Sequence, residues 1–194
     1  KGELTRKFVH IFGGLISLSF PLFLENHWQV LFLTVSFVTI LTLSLLLDLL
    51  PSINDVKRIT HGSIIFPLVI YLCYFCSHLS GEDMYFYLPI VVLAIGDPIA
   101  NILGKSFPVL PYTNFGFTKT VSGSLGFFVT AFICSYLILE HLQYWTLVQN
   151  CKLAVMIAVV TTVIESFSHK GYDNLTIPVS TILVIMVFNN FIFA

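Results

Sequence analysis

Seven apolar runs, each close to the length of a membrane-spanning helix, divide the chain into its predicted elements. A helix needs roughly 17 to 25 predominantly apolar residues to cross the hydrocarbon core of a bilayer. The loops between the runs are brief, and no linker, internal repeat or low-complexity segment marks a second domain. The pattern therefore predicts an all-α integral membrane protein, a single bundle of about seven transmembrane helices over residues 1–194. The predicted spans are residues 8–24, 28–50, 62–79, 84–103, 121–139, 152–168 and 175–193.

The composition supports this fold class, because 57% of the residues are hydrophobic and only 10% are charged, unlike an ordinary soluble domain. Lys and Arg form no dense cluster or stripe, so we expect no nucleic-acid partner. Cys73 and Cys76 lie together within one apolar run, and we interpret them as packing residues rather than as a metal or redox pair. The chain begins at Lys1 rather than Met, so we expect a trimmed N-terminus and no cleavable signal peptide.

The basic residues are segregated by the predicted spans. Eight of the nine Lys and Arg fall on one side, and Lys152 falls on the other. Because cytoplasmic loops keep an excess of basic residues, the distribution predicts a cytoplasmic N-terminus and a C-terminus outside. The expected location is the cytoplasmic membrane of a bacterium, or the endoplasmic reticulum or plastid membrane of a eukaryote.

An aspartate inside the fourth span is the strongest candidate for a functional residue. An acidic side chain at the centre of a membrane helix costs about 2.5 to 3.5 kcal/mol, so it needs a role. Asp97 is flanked by Gly96 and Pro98, and proline removes a helical hydrogen bond. Lys105 follows where the run meets water. The alternative is a proline-kinked helix in which Asp97 pairs with a lysine for packing alone.

Three further polar clusters fall on the same predicted side of the membrane. In the first, Glu3, Arg6, Lys7 and His10 share one face of a helix, although the charged residues would also suit an interfacial ion pair. The second is a helix start that exposes N–H groups to phosphate, although glycines there also suit close helix packing; its members are Lys119, Thr120, Ser122, Gly123 and Ser124.

The third of these clusters joins the sixth and seventh spans. It contains Glu165 about one turn inside the apolar run, followed by Asp173 and Asn174. Either of the last two residues would also cap the seventh helix. Taken with Asp97, these carboxylates could hold a divalent metal, since Asp97 with Glu165 or Asp173 supplies two acidic ligands.

This inventory of carboxylates, cations and a glycine-serine helix start is typical of phosphoryl transfer. In that chemistry Mg²⁺ bridges phosphate oxygens, cations neutralise developing charge, and a carboxylate or histidine orients the attacking hydroxyl. A site at the membrane surface would serve an acceptor whose hydroxyl is carried there on an apolar tail.

Four motifs in the same order resemble the membrane kinases of lipid alcohols, a family that includes dolichol kinase, phytol and farnesol kinases and the CTP-dependent diacylglycerol kinase of fungi. The motifs are E-L-T-R-K-F-V-H from Glu3, A-I-G-D-P-I-A-N-I-L-G-K from Ala94, K-T-V-S-G-S-L-G from Lys119 and E-S-F-S-H-K-G-Y-D-N-L-T-I-P from Glu165. The resemblance covers nearly the whole chain. It implies phosphorylation of a lipid alcohol by a nucleoside triphosphate, typically CTP and sometimes UTP, with Mg²⁺ or another divalent cation.

The resemblance also implies roles for individual residues. Asp97 is similar to the catalytic or metal-binding carboxylate, with Glu165, Asp173 and Asn174 as the second acidic group. Ser122 departs from the pattern, since relatives often carry glutamate there. The short chain favours the smaller phytol- or polyprenol-type members. The remaining assignments are Lys105 and Lys119 as phosphate-binding cations, Thr120, Ser122, Gly123 and Ser124 as the phosphate cradle, and Arg6, Lys7 and His10 as residues that complete the pocket.

Several alternatives remain open from the sequence. A diacylglycerol kinase or a lipid cytidylyltransferase would use the same residues, because the motifs do not report which phosphorus is attacked. A small transporter would use Asp97 and Glu165 as an ion or proton relay, and a purely structural membrane subunit would need neither. The acceptor lipid, the choice among CTP, UTP and ATP, the oligomeric state and the division of labour between the carboxylates are also open.

Overall fold

The computed structural model describes residues 2–47, 62–114, 116–169 and 171–193. Over this part of the chain the protein is a helical bundle with one small β-hairpin. The elements are α1 (Gly2–Ser17), α2 (Phe20–Phe23), α3 (His27–Leu46), α4 (Gly62–Ser80), α5 (Met84–Val91), a π-helical turn (Val92–Gly96), α6 (Asp97–Ser106), β1 (Pro111–Asn114), β2 (Phe117–Thr120), α7 (Val121–Leu142), α8 (Leu147–Phe167) and α9 (Asp173–Phe193).

Among the described residues, six helices are long and apolar enough to cross a bilayer, and together they make this a multi-pass membrane protein. They are α3, α4, the continuous stretch of α5, π-helical turn and α6, and then α7, α8 and α9. Each matches one of the predicted spans. The predicted end of the second span, at residue 50, lies outside the described residues.

The predicted first span, residues 8–24, is not one uninterrupted helix. Helix α1 ends at Ser17, and the chain turns before the short helix α2, which has Pro21 in its first turn. Proline starts helices readily but cannot continue one, because it lacks the N–H. The apolar stretch Phe8–Phe23 is therefore a shorter apolar element that accompanies the six long ones.

The prediction places the start of the sixth span too late in the chain. Helix α8 begins at Leu147 rather than Lys152, and Thr146 and Gln149 form a capping box at its first turn. The polar residues of this turn made it resemble a loop in the sequence. In the structure one of them is used in packing, since the Asn150 amide donates to Glu140 Oε1 at 2.8 Å. Asn150 is buried, so its polarity did not mark a loop.

The central element of the bundle is the helical stretch Met84–Ser106. Of the 18 residues in its most apolar part, 61% are buried inside the protein, compared with 17% in the corresponding part of α3. Leu88, Ile90 and Leu93 are fully buried. The aspartate predicted to be functional therefore lies on the most deeply buried of the long apolar helices that the structure describes.

The regular helical ladder of this central element is interrupted at the predicted position. A π-helical turn, Val92–Gly96, comes directly before Asp97, and Pro98 lies in the first turn of α6. Because proline is tolerated in a first turn, the chain accommodates Pro98 by ending one helical segment and starting another. Single π-helical turns of this kind occur frequently at functional sites.

The hairpin between α6 and α7 is not anticipated by the sequence analysis, which assigns these residues to a loop. Strands β1 and β2 pair antiparallel, with Pro111 opposite Thr120 and Asn114 opposite Phe117. Gly116 takes a positive φ of 80° in the turn, a conformation that glycine adopts at little cost. The hairpin lies at the same end of the bundle as the last turn of α6 and the start of α7.

Candidate functional site

A cavity of about 530 Å³ opens between α1, α3, α4, α6 and the start of α9. Charged, amide and imidazole side chains gather at one end of it, and the rest of its wall is mostly apolar. Cavities of roughly 300 to 1,000 Å³ are typical of small-molecule sites. The polar end consists of His10, Asp97, Asn101, Asp173 and Asn174, and the apolar wall includes Ile16, Phe20, Leu33, Phe37, Phe66 and Ile70.

Asp97 reaches the cavity from the first turn of α6. It is partly buried, and the next residue, Pro98, is buried against the bundle. At a rise of about 1.5 Å per residue, Asp97 lies about 13 Å from the end of α6 at Ser106. One turn further on, Asn101 presents its amide to the same cavity.

The start of α9 brings a second carboxylate to this polar end. Asp173 accepts a hydrogen bond from the Asn174 backbone N–H at 3.0 Å, so the capping role expected at this position is present. The Asn174 amide donates to the Gly62 carbonyl at 2.8 Å, which joins the starts of α9 and α4. Asn174 therefore holds the polar end of the cavity together while it lines that cavity.

His10 contributes a ring to the same end. Its imidazole packs against Phe66 with the ring centroids 4.3 Å apart, and both residues line the cavity. Arg6 and Lys7 lie on α1 one turn before His10, and their side chains fall outside the described residues. The structure therefore brings together His10, Asp97, Asp173 and Asn174 from the predicted site.

Glu165 and Lys119 do not line this cavity. They form an ion pair with each other, and the lysine also donates to the Glu165 backbone carbonyl. The Glu165 side chain is 8% exposed and the Lys119 side chain is 21% exposed. The pair joins β2 to the last turn of α8, and a lysine there also complements the negative end of the helix dipole.

The predicted phosphate cradle is occupied by contacts within the protein. Thr120 caps α7 by accepting from the Gly123 N–H at 3.1 Å. Ser122 donates to the Phe107 carbonyl, and Ser124 shares a hydrogen bond of 2.7 Å with the Tyr112 hydroxyl. These contacts fix the hairpin against the first turn of α7.

Gly123 allows α6 and α7 to approach closely. A β-carbon built on Gly123 would lie 2.9 Å from the Ala100 carbonyl oxygen, and one built on Gly104 would lie 2.8 Å from Thr120 Oγ1. Real β-carbons do not occur at such distances, so larger residues here would force the helices apart. The structure thus shows the packing role that the sequence left open for Gly123.

Lys105, predicted to bind phosphate, lies exposed in the last turn of α6.

The donor set at the polar end fits Mg²⁺ bound together with a phosphate group. Within the described residues no cluster of three or more His, Cys, Asp or Glu side chains forms a metal cage. Mg²⁺ does not need one, since it is usually bound by one or two carboxylates with substrate phosphates and water completing an octahedron. Asp97 and Asp173 would supply the carboxylates, and Asn101 and Asn174 line the cavity beside them.

The apolar wall is the part of the site that the sequence analysis did not identify. Gly13, Phe37 and Phe66 line the cavity, yet in the sequence they are ordinary members of apolar runs. The Gly13-Gly14 pair was the available signal, because small residues in membrane helices mark close approaches or openings. In the structure Gly14 packs against Ala94 and Gly13 faces the cavity.

The fold and the cavity together define a class of protein: a multi-pass membrane protein with an internal site for a molecule that is polar at one end and apolar along its length. The chain is 30% identical over 182 residues to the phytol kinase of Synechocystis, and the match covers 94% of this chain and 78% of that protein. The chain therefore belongs to the family of membrane lipid-alcohol kinases that contains phytol kinase. No protein-family model matches the chain, and no solved structure matches it.

Proposed function

We propose that the protein phosphorylates the terminal hydroxyl of an isoprenoid lipid alcohol, using CTP or a related nucleoside triphosphate with Mg²⁺ at the cytoplasmic face of the membrane. The observation that carries this proposal is the single cavity that joins two carboxylates to an apolar wall within the bundle. The relationship to a phytol kinase supports a kinase that acts on an alcohol.

The two carboxylates are placed differently relative to water. Both are partly buried, but Asp97 lies about 13 Å from the end of α6, whereas Asp173 lies in the first turn of α9, next to the loop that follows α8. A lipid hydroxyl arrives from the membrane and a nucleotide arrives from water. We therefore assign Asp97 to the hydroxyl and Asp173 to the phosphate end of the site.

In this assignment Asp97 accepts a hydrogen bond from the substrate O–H and takes its proton as the oxygen attacks the γ-phosphorus. The bond between the γ-phosphorus and the bridging oxygen breaks, and the nucleoside diphosphate leaves. Mg²⁺, when bound by Asp173 and Asn174 with the phosphates, supplies positive charge to the leaving oxygens. Lys105, Arg6 and Lys7 are assigned to binding the nucleotide phosphates from the water side.

The cytoplasmic assignment of the site rests on the distribution of basic residues. Lys105 ends α6 and Lys119 lies in the hairpin, at the same end of the bundle as Asp173. Lys152 lies near the start of α8, at the opposite end. Because basic residues accumulate on the cytoplasmic side, the end that holds the polar part of the cavity is assigned to the cytoplasm.

A transfer assay on the purified protein in lipid tests the proposal. CTP, UTP and ATP, each labelled at the γ-phosphate and supplied with Mg²⁺, are paired with geranylgeraniol, phytol, farnesol, a longer polyprenol and diacylglycerol. We expect label on at least one isoprenoid alcohol, release of the nucleoside diphosphate and loss of transfer when EDTA is added.

Three other results would overturn parts of this proposal. Label on diacylglycerol alone would replace the acceptor class. Release of pyrophosphate with the nucleotide retained on lipid would identify a cytidylyltransferase. Absence of transfer for every pair, in protein that elutes as a single folded species, would refute the kinase assignment.

A further inference from the structure

We infer that the isoprenoid chain lies in the apolar part of the cavity between α1 and α4, and that the residue at position 13 sets how far the chain extends. This inference rests on the proposed function, because it names the part of the protein that would select the acceptor. The polar end continues into the apolar wall within one cavity, so a hydroxyl held near Asp97 places its tail there.

The cavity is deep along the helix axes. It is lined from Gly62 to Ile70 on α4, and from Val9 to Ser17 on α1. Each interval advances eight residues, or about 12 Å at the rise of an α-helix. Phe20 lines the cavity beyond the end of α1, which extends the depth to roughly 12–15 Å.

This depth corresponds to a limited number of isoprene units. A zigzag chain of about 1.5 Å bonds advances roughly 1.3 Å per bond, or about 5 Å for the four chain bonds of one unit. The cavity therefore holds about two to three units in extended form. A longer alcohol has to leave the cavity by another route.

The side of the cavity between α1 and α3 supplies that route. Val9, Ile16 and Phe37 line the cavity and are nevertheless 55%, 62% and 56% exposed in the part of the chain that the structure describes. All three are apolar, and Phe37 lies on α3, one of the helices long enough to cross a bilayer among the described residues. The opening is therefore lateral, and a chain longer than the cavity continues into the bilayer.

Gly13 is the position at which this geometry can be tested. It faces the cavity one helical turn beyond His10, about 4.5 Å further along the axis. A β-carbon at this position would meet Phe66 Cε1 at 3.4 Å, an ordinary contact, and no other described atom within 4 Å. A larger side chain at position 13 therefore extends into space that the second isoprene unit would occupy. Leucine is also a better helix former than glycine, so the substitution favours the helical conformation of α1.

The test compares a C5 isoprenoid alcohol with geranylgeraniol as acceptors for the wild type and for Gly13→Leu. We expect kcat/KM for geranylgeraniol to fall about tenfold or more, because displaced methylenes lose their burial, while kcat/KM for the C5 alcohol changes less than threefold. Gly13→Ala and Gly13→Val should give graded, smaller changes, and they carry the test if the leucine variant fails to fold. Leu15→Phe is the matched control, since Leu15 is exposed on the same helix and does not line the cavity.

Equal losses for both alcohols in the graded series would overturn the inference, and so would unchanged kinetics for both. A second readout needs no turnover. A geranylgeraniol analogue with a photoreactive diazirine at its third isoprene unit should label Phe20, Leu33 or Ile70, with the site assigned to a single residue by fragmentation of the labelled peptide. Labelling confined to outward residues such as Leu22 and Leu68 would refute the tail position. A wild type that is labelled at the expected peptides but transfers no phosphate would refute the proposed function and leave this binding site standing.

Discussion

Replacing Asp97 by asparagine should lower phosphoryl transfer by at least about 100-fold, because a positioned general base typically contributes 10²–10⁴-fold to rate. Asparagine keeps the size of the side chain and its place in the first turn of α6, but it cannot accept the proton of the substrate hydroxyl. The expected loss is therefore in kcat, with little change in the KM for the lipid alcohol. Steady-state kinetics with a saturating nucleotide measure both.

The matched control for this substitution is Asp83→Asn. Asp83 is exposed at the start of the same membrane span, at the end opposite the cavity. This variant should keep the activity of the wild type. Both variants should elute and unfold like the wild type in detergent. Activity near the wild-type level in folded Asp97→Asn would remove Asp97 from the mechanism.

Lys119→Met should destabilise the protein strongly, by about 3–5 kcal/mol, because it leaves the Glu165 carboxylate buried without its cation. The second oxygen of Glu165 is buried and has no hydrogen-bond partner among the described residues, so the lysine supplies most of the compensation. Glu165→Leu should cost less, since Lys119 is 21% exposed and its long side chain can turn toward water. The free energy of unfolding in detergent, measured by SDS titration, checks both values.

The double variant Lys119→Met with Glu165→Leu separates a structural pair from a catalytic one. If the pair serves to hold the hairpin on α8, the double variant should be more stable than Lys119→Met alone and should regain transfer activity. If Lys119 binds phosphate or Glu165 binds metal, as the sequence resemblance implies, activity stays lost although stability returns. Lys152→Met is the control on stability, because Lys152 is exposed on α8.

The sequence predicted the helical spans well because the bilayer imposes one length and one composition on them. The boundaries failed where a polar residue is satisfied inside the bundle. Asn150 was read as part of a loop, but its amide is bonded to Glu140 and it belongs to α8. The break after Ser17 was missed for the opposite reason, because the residues around Pro21 are as apolar as the helix before them.

The candidate site was predictable in part. The cost of a charge in an apolar run selected Asp97, and the clustering of polar residues on one predicted side selected His10 and Asp173; the fold brings all three to one cavity. It also selected Lys119 and Glu165, which satisfy each other instead. The spacing of residues along the sequence does not tell which carboxylate pairs with Lys119. That Lys119 pairs with Glu165 is visible only from the packing of the hairpin on α8.

The central claim is that a lipid hydroxyl held beside Asp97 attacks the γ-phosphorus of a nucleotide. The most direct measurement follows the alcohol oxygen itself, using phytol or geranylgeraniol labelled with ¹⁸O in its hydroxyl and mass spectrometry of the lipid product. The account predicts an isoprenyl monophosphate that retains the ¹⁸O and carries the γ-phosphoryl group, formed by the wild type and lost in Asp97→Asn. A lipid phosphate without the ¹⁸O, or no lipid phosphate from folded protein with any nucleotide, would contradict it.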